Sequence, residues 1–225
     1  MRNLLLASSL ALCVASSAIA DTFTLSAVTG GAATGSNTLN FDSLLLGSTT
    51  QWANPLVQVS FTGTGEVVQG ALKNRYAAPF VSGSNGAGFG SQAFGADTTP
   101  YLTTGIGSVT LEFTSNQTYL GLLWGSVDDY NALDFYNGDT LVGSFTGTDI
   151  WANANGDQGQ QGTFYVNFNN TSGSFNRVVA SSTSYGFELD NVAYNSLRYN
   201  VPESGATWTL LGLALAALFV TRRKA

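Results

Sequence analysis

Between Asp21 and Asn200 the apolar residues recur at alternate positions or in short runs, and helical spacing is nearly absent. Val109, Leu111 and Phe113, for example, alternate with Ser108, Thr110 and Glu112. Successive side chains of a strand point to opposite faces, so this spacing sets one face against a core and the other in water. Gly, Asn, Ser and Asp separate the runs, which is the punctuation of strands and turns. The pattern predicts strands over Phe23–Val28, Val57–Thr62, Ser108–Thr114, Tyr119–Trp124, Ala132–Tyr136, Thr140–Phe145, Thr163–Phe168, Phe175–Ser181 and Tyr185–Ala193. The clearest hairpin signal is Asn137-Gly138, because both residues of such a pair tolerate positive φ. These features predict an all-β domain, an antiparallel β-sandwich over residues 21–200. Val81–Asp97 is rich in Gly and small residues and reads as a long surface loop. Leu39–Leu46 and Val67–Asn74 fit neither the strand nor the loop pattern.

Both ends read as processing segments rather than parts of the fold. Arg2 is followed by an apolar run from Leu4 to Ala15, then by Ala18-Ile19-Ala20. A basic start, an apolar stretch and a small-x-small site make a secretory signal peptide over residues 1–20. Its partners are the Sec translocon and signal peptidase, and cleavage after Ala20 leaves Asp21 first. Cys13, the single cysteine, would go with the leader. A lipoprotein reading of Cys13 is set aside because bulky Leu12 precedes it, where a small residue is preferred.

At the other end, Val201-Pro202-Glu203-Ser204-Gly205 leads into an uncharged stretch, Thr207 to Val220, and then Arg222-Arg223-Lys224. As a helix the stretch would span roughly 21 Å at about 1.5 Å per residue. That is short of the ~30 Å hydrocarbon core, and snorkelling basic residues would cover the difference. The basic cluster would stay cytoplasmic, which leaves the domain outside. Pro202 blocks upstream extension of the helix.

A Val-Pro-Glu motif, an apolar helix and a terminal basic cluster resemble the PEP-CTERM sorting signal of exosortase systems. Ser204 stands where the usual motif has proline, so the signal over residues 201–225 is closer to the Val-Pro-Asp-Ser-Gly type. The resemblance implies a Gram-negative bacterium that makes extracellular polysaccharide. It also implies transient anchoring in the inner membrane and cutting near Val201–Ser204 by an exosortase-like protease. The expected destination is the cell surface or extracellular matrix. A softer resemblance links Leu123–Asp128, Leu133–Gly138 and Phe187–Val192 to the jelly-roll-like ectodomains of such surface proteins.

The chemistry available is restricted. The chain contains no histidine, which removes the commonest general base and every Ser-His-Asp arrangement. Without Cys13 there is no thiol chemistry and no disulfide. Residues 21–200 carry thirteen acids against four bases, a balance that repels phosphate backbones and excludes nucleic acid as a partner. Paired carboxylates remain, Asp128 with Asp129 or Glu188 with Asp190, and a glycosidase needs only two. In one strand Glu188 and Asp190 share a face about 7 Å apart, which suits catalysis, a cation or a merely solvated surface. The jelly-roll-like resemblance implies a structural calcium joining an early strand to the last one. Asp42 and Asp190 are the positions for it, with Asp128 and Asn131 second. Among the aromatics Trp52, Tyr76, Tyr101, Trp124, Tyr130 and Trp151, the rings of Tyr130 and Trp151 sit beside Asp, Asn and Gly as candidate sugar platforms. Most such rings in a sandwich are core or rim.

The functional expectation is an exported, exosortase-processed surface or matrix protein, adhesive or associated with exopolysaccharide, and not an enzyme. A carbohydrate-binding module is the alternative. A secreted carboxylate-dependent glycoside hydrolase is the third reading.

Overall fold

The computed structural model describes residues 21–27, 31–82, 85–86, 89 and 93–197. The expected signal peptide with Ala18 and Ala20 lies outside the described residues, and so does the C-terminal signal with Val201, Pro202, Glu203, Ser204, Arg222, Arg223 and Lys224. No helix among the described residues is long and apolar enough to cross a membrane.

The described chain is all-β. Its strands are β1 (Phe23–Ala27), β2 (Asn37–Leu39), β3 (Gln51–Asn54), β4 (Val57–Gly63), β5 (Glu66–Val68), β6 (Phe80–Val81), β7 (Gly95–Ala96) and β8 (Tyr101–Thr104). They continue as β9 (Gly107–Gln117), β10 (Tyr119–Gly125), β11 (Asn131–Asn137), β12 (Thr140–Thr146), β13 (Phe164–Asn170), β14 (Phe175–Ser182) and β15 (Phe187–Asn195). One helical turn, α1 (Gly147–Ile150), follows β12. Each of the nine runs expected from the sequence holds a strand, although Thr163, Tyr185 and Gly186 fall just before theirs and Val28 lies outside the described residues. The short strands β2, β3 and β5 to β8 are additional; of the two segments that fitted no pattern, β2 reaches only Leu39 and β5 takes only Val67 and Val68.

Two sheets carry the fold. The first has the order β1-β13-β10-β15-β8-β5, with β2 also paired to β15. The second runs β12-β11-β14-β9-β4-β3. Every ladder between these strands is antiparallel. Aromatic rings join the sheets face to face. Phe135 of β11 lies 5.1 Å from Phe168 of β13, and Phe113 of β9 lies 5.2 Å from Tyr194 of β15. On β9, Val109, Leu111 and Phe113 are buried while Glu112 is exposed, as alternation requires.

The hairpin turn falls one residue later than the Asn-Gly pair suggests. Asn137 pairs with Thr140, so the central residues are Gly138 and Asp139, and Gly138 takes the positive φ of 59°. A bulge between Phe135 and Tyr136 shifts the register by one residue on the way to this tip.

The first sheet departs further from a two-faced strand pattern. Strands β8, β10 and β15 are buried at every position. The cause is the long connection from β5 to β8, which lies over the outer face of this sheet. Val81 packs on Leu123 and Tyr165, while Ala78 packs with Val68 and Tyr101. Within the connection β6 pairs with β7. The segment expected to be a free surface loop therefore acts partly as a third layer, because its few apolar residues are enough to seat it on the sheet.

Candidate functional site

Strand β15 places the acids. Phe187 and Leu189 point into the sandwich, so Glu188 and Asp190 point the other way. That face would be wet on a bare sheet. Under the covering connection both residues are 0 % exposed. Burying a carboxylate without a partner is costly, so each must be neutralised by a proton, a cation or hydrogen bonds.

Around Asp190 the neutralising group is not a base. No well-formed hydrogen bond reaches either Asp190 oxygen, and the same holds for Asp97 Oδ2. Asp97 Oδ1 accepts from the Thr99 N–H at 2.8 Å and the Thr99 hydroxyl at 2.7 Å, and the Asp97 N–H donates to Pro79 O at 2.9 Å. The covering connection thus carries Asp97 onto Asp190. Burial pushes the Asp190 carboxyl well above the usual carboxylate range, the Asp97 carboxyl beside it pushes further, the Asn191 N–H pulls back, and the more distant Asp42 adds to the rise. Pairing of β2 with β15 brings Asn40 and Asp42 nearby. Asp42 is exposed, accepts from Asn40 Nδ2 at 2.6 Å, and lines a cavity of about 330 Å³ with Asp97 and Thr99. Buried, orphaned carboxylate oxygens are the donor type that hard divalent cations take. Among the described residues no three acidic, histidine or cysteine groups converge tightly enough to hold a metal, so further ligands would be carbonyls or water.

Glu188 belongs to a second cluster. Its Oε1 accepts the Ala77 N–H at 3.1 Å, and Oε2 has no partner. Burial raises this carboxyl to about 8 against the pull of the Ala77 N–H and the Ser126 side chain, and nearby Asp128 adds to the rise. Asp128 is also raised by burial, while the Tyr130 hydroxyl, 2.5 Å from its Oδ2, lowers it. The backbone folds tightly here because Gly186 has φ 99°. A Cβ at Gly186 would lie 3.8 Å from Asp128 Oδ2, 3.9 Å from the Tyr130 hydroxyl and 4.0 Å from Glu188 Oε1. The two carboxyls are therefore within about 8 Å of each other. Glu188 forms the floor of a cavity of about 250 Å³ whose walls include Arg75, Tyr76, Gln158, Ser184 and Tyr185.

The remaining candidates are spread out. Tyr130 spends its hydroxyl on Asp128 and lies 2.9 Å from Tyr185 O. Trp151 caps α1, donating its N–H to Gly147 O at 2.9 Å, with its ring 5.7 Å from Phe164. Tyr101 and Trp124 are fully buried, whereas Trp52 is exposed. Asn131 Nδ2 donates to Gly186 O at 3.1 Å. Sequence reasoning missed Asp97, Arg75 and Tyr185. Asp97 follows a Gly-rich stretch with no strand or helix pattern, and only its Asp-x-Thr turn was visible.

The described chain is all-β, and the motif at its end suggests an exported surface protein. Residues 200–225 match the family model described as the VPDSG-CTERM motif, a PEP-CTERM-like sorting signal. No curated protein and no solved structure matches the chain.

Proposed function

We propose that this protein is exported, held briefly in the inner membrane by its C-terminal tail, and cut by an exosortase-like protease. The β-sandwich is then displayed at the cell surface or in the extracellular matrix as a non-catalytic, jelly-roll-like module associated with exopolysaccharide. The observation that carries this reading is the sorting motif over residues 200–225. The acidic ectodomain, free of histidine, suits such a setting. A non-catalytic role is supported by the state of the Asp128 and Glu188 carboxyls. Asp128 is engaged by the Tyr130 hydroxyl and does not line the Glu188 cavity, so only one carboxyl of the pair faces that cavity. Intact mass of the protein recovered from the surface of its host tests the reading. A chain beginning at Asp21 and ending within Val201–Ser204 is expected. A chain still ending at Ala225 would overturn the sorting step.

The sandwich is further proposed to hold a divalent cation, calcium by its donor type, at Asp97 and Asp190, with Asp42 adding negative charge at the rim. Three orphaned buried carboxylate oxygens support this. Such an ion would neutralise the buried pair and fasten the covering connection to β15, standing in for the disulfide that the chain lacks.

A further inference from the structure

We propose that the cavity floored by Glu188 binds a single uronate unit, a carboxylated sugar ring, with Arg75 receiving the carboxylate. This rests on the surface reading above, since such a unit belongs to an extracellular polysaccharide.

The argument begins with charge. The described residues hold three cations, Lys73, Arg75 and Arg177, against thirteen acids. Arg177 is paired with Asp139 at 3.8 Å and lies 4.6 Å from the centre of the Tyr136 ring. Arg75 has no carboxylate within ion-pair distance among the described residues. Lys73 and Arg75 stand together on a tight turn. The Arg75 and Tyr76 N–H groups both donate to Leu72 O, at 2.9 and 3.1 Å, and Asn74 takes φ 62° at the tip. A strongly acidic molecule thus holds an ordered positive point at the mouth of one cavity. The Arg75 guanidinium is fixed there by lying 5.1 Å from the centre of the Tyr185 ring. A guanidinium so placed keeps its fork of donors for a planar carboxylate.

The rest of the wall suits a hydroxylated ring. Tyr76 and Tyr185 are half-buried and offer flat apolar faces to the C–H side of a sugar. Gln158 and Ser184 supply polar groups able to both donate and accept. At the floor, Glu188 Oε2 is fully buried and has no hydrogen-bond partner, so a ligand hydroxyl would satisfy it. The volume, about 250 Å³, is below the usual span of drug-sized sites and fits one ring rather than several.

Calorimetric titration of the purified full chain with methyl glucuronide and methyl galacturonide, beside the matching neutral glucoside and galactoside, tests the assignment. Saturable binding of a uronate is expected, with the neutral sugars about tenfold weaker or more. Arg75→Gln should bring the uronate down to the neutral level, and Tyr185→Ala should weaken both. Arg75 is exposed, so its substitution should leave the melting curve in place. No saturable uronate binding by the folded wild type would overturn the proposal, as would equal binding of acidic and neutral sugars or an unaffected Arg75→Gln chain. Fractionation of the host separates the two readings. A protein found at the surface without uronate binding defeats only the site, and one that binds uronate yet stays in the cytoplasm defeats only the surface role.

Discussion

Asp97 and Asp190 face each other between the first sheet and its covering connection, and three of their four carboxylate oxygens are buried without a well-formed hydrogen bond. The proposed cation at this pair and a pair held without metal separate experimentally. With calcium at about a hundred times its dissociation constant, one site adds about 2.7 kcal/mol. For a domain of this size that raises the melting temperature by roughly 5–10 °C over the chelated protein. Asp190→Asn and Asp97→Asn should each abolish the response. A transition indifferent to calcium and chelator, followed by circular dichroism, would sink the cation reading.

The stability of the chelated protein should fall as pH rises from about 4.5 to about 8. The Glu188 carboxyl is raised to about 8 in the fold, against an ordinary value of 4.5. Between those values the unfolded chain has lost this proton while the folded chain keeps it. The folded state then binds more protons, so unfolding becomes easier by about 1.4 kcal/mol per pH unit for this one group. Glu188→Gln, which cannot ionise, should show a shallower decline across the same window in urea titrations. Parallel curves for the two chains would refute this.

Phe135 links the two sheets through Phe168 and also touches Phe23, Phe145 and Phe175. It is fully buried. Phe135→Ala should destabilise the domain by about 3–5 kcal/mol, measured as a lowered urea midpoint. A loss below about 1 kcal/mol would mean the sheets repack without it.

Gly107 begins β9 opposite Gly63, with φ 151°. A Cβ there would run into Thr62 O and lie 2.9 Å from both Gly63 Cα and Thr64 N. These are backbone atoms and cannot swing aside. Gly107→Ala should cost about 2 kcal/mol or more. Gly138→Ala, where nothing lies within 4 Å, should be milder despite its positive φ. Equal melting of the two variants would contradict the close approach.

Alternation and turn residues were sufficient to predict the nine main strands and their antiparallel character, because both signals act within a few residues. The terminal motif was likewise legible as a linear pattern, and residues 200–225 match a known sorting signal. Even the pairing of Glu188 and Asp190 on one face followed from the two-residue period. Their burial did not. It depends on a connection that folds over the outer face of the first sheet and brings Asp97 to Asp190, and Ala77 and Arg75 to the Glu188 cavity. Strand periodicity reports which face a side chain takes, whereas what covers that face is decided by contacts between segments far apart in the chain. For this protein the sequence by itself determined the β architecture and the sorting signal, and only the tertiary structure decided which acids lose water and what they meet there.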